Sequence, residues 1–150
     1  VKSVKWFFEE VYPKLNHNLS ICVVGKINDH IPELPNVTKM HFVEDLNRVY
    51  SESRVAICPM LSGSGLKIKV VEALSFGLPV VCNPRGIDGL INKTNNGCLV
   101  TEDATTFSKY IEQLLTDKSF YQQQQTLSEN FFVNYLSVES VYLELDKVFK

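Results

Sequence analysis

The sequence lacks several features that would assign it to a broad functional class. It contains no apolar run long enough to span a bilayer as a helix, and its formal net charge of −2 shows no excess of basic residues. The three histidines and four cysteines include no Cys-x-x-Cys pair and no spacing typical of metal ligands. These absences argue against a membrane-spanning chain, a nucleic-acid partner and a metal site.

What remains is a chain of 150 residues with an ordinary composition, large enough for one domain with a hydrophobic core. Each cysteine lies in or beside an apolar, strand-like run, which predicts buried free thiols in a reducing compartment. The four are Cys22, Cys58, Cys82 and Cys98.

Strand-like and helical patterns alternate along the chain. Helices are predicted at residues 4–15, 44–52, 104–115, 118–136 and 138–150, with a further helix after Gly65, and strands at residues 19–25, 37–43, 54–59, 78–82 and 98–100. This alternation predicts an α/β fold with a doubly wound parallel sheet, Rossmann-like, whose ligand lies beyond the carboxyl ends of the strands. Loops 25–27, 59–65 and 83–89 are therefore expected to converge on one crevice.

The stretch from Ser62 to Val81 is the most informative part of the sequence. Gly63 and Gly65 allow a sharp turn and a close approach of the backbone to a ligand. Ser62 or Ser64 can cap the helix that follows, whose first N–H groups favour an anion. The stretch therefore predicts a strand–loop–helix–strand unit that holds a phosphorylated ligand.

Within this helix, residues three or four apart share a face. Lys69, Glu72 and Phe76 therefore lie on one stripe that begins at Gly65. Gly77 suits the left-handed position after a helix.

The run GSGLKIKVVEALSFGLPVVCN, preceded by VAICPM and followed by RGIDGL, resembles the donor-binding half of GT-B-fold glycosyltransferases, in the group called glycosyl transferase group 1. The Gly-rich loop, the lysine three residues before a glutamate, the Glu-Ala pair and the Gly-x-Pro-Val-Val run all occur in order. A weaker resemblance extends through the whole chain.

The resemblance implies that residues 1–150 form a single nucleotide-sugar-binding domain, the C-terminal half of a GT-B fold. In this family a strand and a loop precede the first helix, and an acceptor-binding domain comes earlier still. Neither is found here, so we expect a C-terminal fragment of a longer two-domain enzyme that is inactive by itself.

The activity implied by the resemblance is transfer of a sugar, of the hexosyl type, from a nucleotide-diphosphate sugar to a hydroxyl acceptor, with retention at the anomeric carbon. It implies no cofactor and no metal ion, and an acceptor bound by the missing N-terminal domain. A cytoplasmic location, with peripheral membrane association of the full-length enzyme through the missing domain, and a role in polysaccharide biosynthesis are further expectations of the same kind.

The resemblance also implies roles for individual residues. Glu72 would bind the ribose hydroxyls, and Lys69 would contact the diphosphate or orient Glu72. The remaining candidates for donor binding are Lys67, the backbone N–H groups of Gly63, Ser64, Gly65 and Leu66, and the crevice residues Gly25, Asn83, Arg85 and Gly86.

Simpler interpretations stay open for these residues. Glu72 could pair with Lys69 on the surface, the glycines could serve only the turn, and Arg85 could be an exposed loop cation. Ser64 is a departure, because many relatives have a glutamate there that contacts the donor sugar. A hydroxyl at this position leaves the sugar contacts, and activity itself, open.

Three other functions were weighed against the sequence. A nucleotide-sugar epimerase of the same fold would need a different set of charges around the motif helix. A non-catalytic α/β module, such as a receiver-type or scaffolding domain, is the second, and a receiver would need clustered aspartates where Gly25 and Lys26 stand. A degenerate transferase domain is harder to separate, because of Ser64.

Overall fold

A computed structural model describes residues 1–137 and shows an α/β fold. The predicted helix at residues 138–150 lies outside the described residues. The strands are β1 (Ile21–Val24), β2 (Val37–Met40), β3 (Ala56–Cys58), β4 (Val80–Cys82) and β5 (Cys98–Val100). The α-helices are α1 (Lys2–Trp6), α2 (Leu46–Glu52), α3 (Ile68–Ser75), α4 (Ala104–Thr116) and α5 (Lys118–Phe131).

All strand pairings are parallel, as the alternating pattern predicts. β1 pairs with β2, with Ile21 opposite Val37. β4 is the central strand of a second group, in which Val81 lies between Ile57 of β3 and Leu99 of β5. Within residues 1–137 the strands thus form a two-stranded and a three-stranded group, with no ladder joining β1 to β3.

Helices cover both faces of the sheet, which confirms the doubly wound arrangement. Successive side chains of a strand point to opposite faces. Val81 belongs to a buried cluster with Phe107 of α4, whereas Val80 and Cys82 belong to a second cluster with Leu74 of α3. The three residues of β4 are fully buried, which explains why this strand has no polar position.

Several boundaries differ from the predictions. The first helix continues past α1 as a π-helical segment at Phe7–Val11. It ends in a 3₁₀ turn at Tyr12–Lys14, where Pro13 lacks an N–H. The short 3₁₀ helices at Lys26–His30 and Pro84–Ile87 lie in loops whose sequences allow a short helical turn, so these two agree with the predictions. No helix among residues 1–137 is both long and apolar enough to cross a membrane.

Two predictions about local structure are wrong. The motif helix α3 begins at Ile68, and Lys67 occupies its N-cap without a capping side-chain bond, so neither Ser62 nor Ser64 caps it. Cys22 is exposed, because it points away from the face on which Ile21 packs. Cys58 and Cys82 are buried as predicted, and Cys98 is partly buried.

Position 97, just before β5, requires a glycine because of both its backbone conformation and a neighbouring side chain. Its φ is +79°, and an added Cβ would lie 1.8 Å from Ser128 Oγ of α5. We expect Gly97→Ala to lower the free energy of unfolding by about 2–5 kcal/mol, from left-handed strain and overpacking together. Urea denaturation measures this loss.

Gly65→Ala is the matched control, because Gly65 has a φ of +80° and no atom within 4 Å of its added Cβ. This variant should lose only the backbone contribution, about 1–2 kcal/mol. Equal losses in the two variants would show that Ser128 does not restrict the position.

Candidate functional site

The glycine-rich loop between β3 and α3 is folded around its own lysine. Gly63 and Gly65 have φ angles of +93° and +80°, which residues other than glycine rarely adopt. The Lys67 side chain turns back, and its Nζ donates a hydrogen bond to the carbonyl of Gly65 at 3.1 Å. A cation therefore lies against the loop that the sequence motif singled out.

The N–H groups of this loop are free to bind a ligand. Among residues 1–137, no hydrogen bond is donated by the backbone N–H groups of Gly63, Ser64, Gly65 or Leu66. The loop is exposed, so water satisfies these donors until a ligand with acceptor oxygens replaces it. Neighbouring backbone N–H groups without a protein partner are the type of donor that binds anions in other proteins.

The loop that follows β4 packs directly against the glycine-rich loop. A Cβ added to Gly89 would lie 2.6 Å from the backbone nitrogen of Leu66. Gly86 is buried, and its added Cβ would lie 2.7 Å from Cys82 Cβ. Gly86 thus has a packing role, and close approach at Gly89 brings the two predicted crevice loops together.

Asn83 joins the carboxyl ends of three strands. Its side chain is buried, its Oδ1 accepts a hydrogen bond from the Met60 N–H at 2.9 Å, and its Nδ2 donates to the Thr101 carbonyl at 3.2 Å. Met60 follows β3, Asn83 follows β4 and Thr101 follows β5. The carboxamide is engaged with the backbone, so it positions the loops around the crevice.

A cleft of about 450 Å³ opens beside Asn83. Arg85 lies at its edge, 3.7 Å from the Asp88 carboxylate, which also lies 4.0 Å from Lys93 Nζ. Its guanidinium is more than half exposed. The residues that line the cleft are Met60, Leu61, Asn83, Pro84, Arg85, Asp88 and Glu102.

Glu72 is held by a residue for which the sequence analysis predicted no site role. The Tyr50 hydroxyl of α2 donates a hydrogen bond of 2.7 Å to Glu72 Oε2. Within residues 1–137, no ion pair joins Glu72 to Lys69, so the surface pair considered as the simpler interpretation is not formed there. The hydroxyl of a tyrosine that packs against the core needs a hydrogen-bond partner. The tyrosine in the predicted helix at residues 44–52 was therefore a sequence signal for such a contact, but it does not indicate which residue is the partner.

The loop after β1 is the third predicted part of the crevice. Gly25 has a φ of +124°, and its N–H donates to the Met40 carbonyl of β2. No hydrogen bond among residues 1–137 joins Gly25 or Lys26 to the other two loops. The start of α1 does reach the loop after β3, because Ser3 Oγ accepts a hydrogen bond from the Leu61 N–H.

The match to a known family extends well beyond the glycine-rich motif. Residues 1–117 match the family described as glycosyl transferases group 1, which is most of the chain. The chain belongs to this family. The resemblance of the glycine-rich stretch to glycosyl transferases group 1 is thereby confirmed.

Two curated relatives share this part of the chain. An uncharacterized 44.6 kDa protein in the cps region of Klebsiella pneumoniae is 24% identical over 121 residues, which cover 71% of this chain and 31% of the relative. An uncharacterized glycosyltransferase of Haemophilus influenzae is 28% identical over 121 residues, covering 74% of this chain and 34% of the relative. The chain thus spans about a third of the curated relatives it matches.

Solved structures confirm the fold of this glycosyltransferase domain. Anabaena Alr3699/HepE in complex with UDP aligns with a TM-score of 0.73 at 14% identity, over 98% of this chain and 45% of that protein. The HepE complex with UDP-glucose aligns with a TM-score of 0.70 at 14% identity, with the same coverage. At this identity the likeness concerns the Rossmann-like α/β fold.

Removal of the Asn83 carboxamide should destabilise the domain. We expect Asn83→Ala to lower the free energy of unfolding by about 2–4 kcal/mol, because it leaves the Met60 N–H and the Thr101 carbonyl without a partner. Asn16→Ala is the control, since its exposed Oδ1 accepts one local bond from Asn18, and should cost under about 1 kcal/mol. Equal costs in denaturation would contradict the role of Asn83.

Proposed function

We propose that this domain binds the nucleotide-sugar donor of a glycosyltransferase that transfers the sugar to a hydroxyl acceptor. The observation that carries the proposal is the carboxylate of Glu72 on the helix that follows the glycine-rich loop. Tyr50 holds its Oε2, and Oε1 has no partner within residues 1–137. A carboxylate with free lone pairs can accept hydrogen bonds from both hydroxyls of a ribose.

The diphosphate of the donor would lie at the glycine-rich loop. The free N–H groups of Gly63 to Leu66 support this placement, because they are unpaired donors within residues 1–137. Lys67 lies against the loop, and Lys69 is exposed in the first turn of α3. These groups would stabilise the negative charge that grows on the leaving diphosphate.

Transfer with retention, a hexosyl donor and independence from a metal ion complete the proposal. The positive groups of the loop would take the charge-stabilising role that a metal ion has in other transferases. Arg85 and Gly25 would lie farther along the crevice, toward the base or the phosphates. Ser64 would offer the donor sugar a hydroxyl instead of a carboxylate.

Uracil is the base that we propose first. The support is the HepE structures, which share the fold and are complexes with UDP and UDP-glucose. A role in polysaccharide biosynthesis draws on the Klebsiella pneumoniae relative in the cps region. A cytoplasmic enzyme, associated with the membrane through another domain, is proposed with it.

We also propose that residues 1–150 are the C-terminal half of a longer enzyme and transfer no sugar alone. The split of the sheet between β1 and β3 supports this proposal. In the Rossmann strand order 3-2-1-4-5-6, the strand before the first helix lies between its second and fourth strands. If β1 and β3 are those two strands, the first strand would complete the sheet.

The donor-site proposal is tested by titrating the full-length protein with UDP, GDP, TDP, ADP and CMP while the midpoint of thermal unfolding is measured. A ligand that binds only the folded state stabilises it by about 2.7 kcal/mol at a hundredfold excess over Kd. We expect UDP to raise the midpoint and Glu72→Ala to weaken its binding at least tenfold, because bonds to a charged acceptor are lost.

Glu9→Ala serves as the matched control, because Glu9 is an exposed carboxylate in the first helical segment. Its affinity for UDP should equal that of the wild type. A full-length protein that responds to none of the five nucleotides at millimolar concentration would contradict the proposal. Binding that is equally strong in Glu72→Ala would remove Glu72 from the site.

A further inference from the structure

Tyr50 and Glu72 are joined across two helices. Tyr50 lies on α2 and is partly buried, and its hydroxyl donates to Glu72 Oε2 of α3 at 2.7 Å. This is the one hydrogen bond of the Glu72 side chain within residues 1–137. A long, flexible side chain thus has one of its two carboxylate oxygens held in place.

The Tyr50 ring is itself fixed by the same helix. Phe76 stacks on it with ring centroids 5.2 Å apart and an interplanar angle of 14°. Phe76 is four residues after Glu72, so the two side chains lie on one face of α3 and its C-terminal end. One contact fixes the plane of the tyrosine ring, and the other uses its hydroxyl.

The direction of the hydrogen bond matters for the chemistry. Burial, followed by the hydrogen bond to Glu72, raises the pKa of the Tyr50 hydroxyl well above its ordinary value, so the group stays protonated and donates. The carboxylate therefore remains an acceptor, with Oε1 and a second lone pair of Oε2 available. A lysine partner at Oε1 would compete with a ligand there, but Lys69 forms no such pair within residues 1–137.

We propose that Tyr50 is a positioning residue that holds the Glu72 carboxylate in the orientation that accepts the ribose hydroxyls of the donor nucleotide. This inference rests on the proposed function, because it assigns the ribose to Glu72. Fixing the carboxylate before binding lowers the entropy lost when the nucleotide binds. Tyr50 itself need not touch the ligand.

The test compares two ligands that differ only at the ribose. These are UDP, or whichever of the five nucleotides binds, and its 2′,3′-dideoxy counterpart, which lacks both hydroxyls. Tyr50→Phe keeps the ring that stacks on Phe76 and removes the hydroxyl. In the full-length protein, calorimetric titration should show affinity for UDP falling about five- to tenfold and affinity for the dideoxy ligand changing less than twofold.

Two further variants separate positioning from a structural role. In Tyr50→Phe combined with Glu72→Ala, UDP should bind as in Glu72→Ala alone, because the tyrosine acts through the glutamate. Tyr121→Phe is the matched control, since its partly buried hydroxyl donates to the Arg54 carbonyl at 2.9 Å. It should leave the ratio of UDP to dideoxy affinity unchanged.

Phe76→Leu provides a second variant in case Tyr50→Phe folds poorly, since it removes the stacked ring and keeps the hydroxyl. This variant should weaken the binding of UDP more than the binding of the dideoxy ligand. The positioning role would be overturned if a variant weakened the binding of both ligands equally. It would also be overturned if Tyr50→Phe left UDP binding unchanged while Glu72→Ala weakened it. Either result would leave the donor-site proposal standing. Failure of every nucleotide to bind the wild type would overturn both.

Discussion

The arrangement of the site depends on the buried carboxamide of Asn83. One side chain bonds the backbone after β3 and the backbone after β5, and it follows β4 itself. Parallel strands place their carboxyl ends at the same edge of a sheet, but they do not fix the loops that continue from them. The carboxamide does so, because the Asn83 side chain is buried and its two bonds would be costly to leave unmade. The cleft that Met60, Asn83 and Arg85 line depends on that constraint.

From this edge outward, close packing and hydrogen bonds position the loops and the Glu72 side chain. Gly86 and Gly89 allow the loop after β4 to approach Cys82 and Leu66 closely, and Lys67 folds back on the glycine-rich loop. The carboxylate of Glu72 is then oriented by Tyr50. Within residues 1–137, the N–H groups of the loop and the exposed Lys69 have no partner. Because Tyr50 holds one oxygen of Glu72 before binding, less entropy would be lost on association than with a mobile carboxylate.

The sequence predicted most of this fold, and the reason is visible in particular residues. The strand at Val80–Cys82 has only apolar positions because helices cover it on both faces, and Gly77 ends α3 with a φ of +69°. The start of α3 was predicted too early, because a serine beside glycines offers a capping side chain that the loop geometry does not use. No site role was predicted for Tyr50. Its hydroxyl partner lies on another helix, and that pairing is a tertiary contact that periodicity does not encode.

Pairing of polar side chains also explains why a cavity of about 530 Å³ beside β2 is a weaker candidate than the glycine-rich loop. The polar side chains of that cavity already bond one another, with Lys39 bonded to Glu33 at 2.7 Å and the His41 ring to Asp29 at 2.8 Å. A charged ligand there would have to displace these partners. At the glycine-rich loop the N–H groups and Lys69 have no partner within residues 1–137, so a diphosphate would replace only water. Unpaired donors, more than the size of an opening, therefore favour the glycine-rich loop as the proposed diphosphate site.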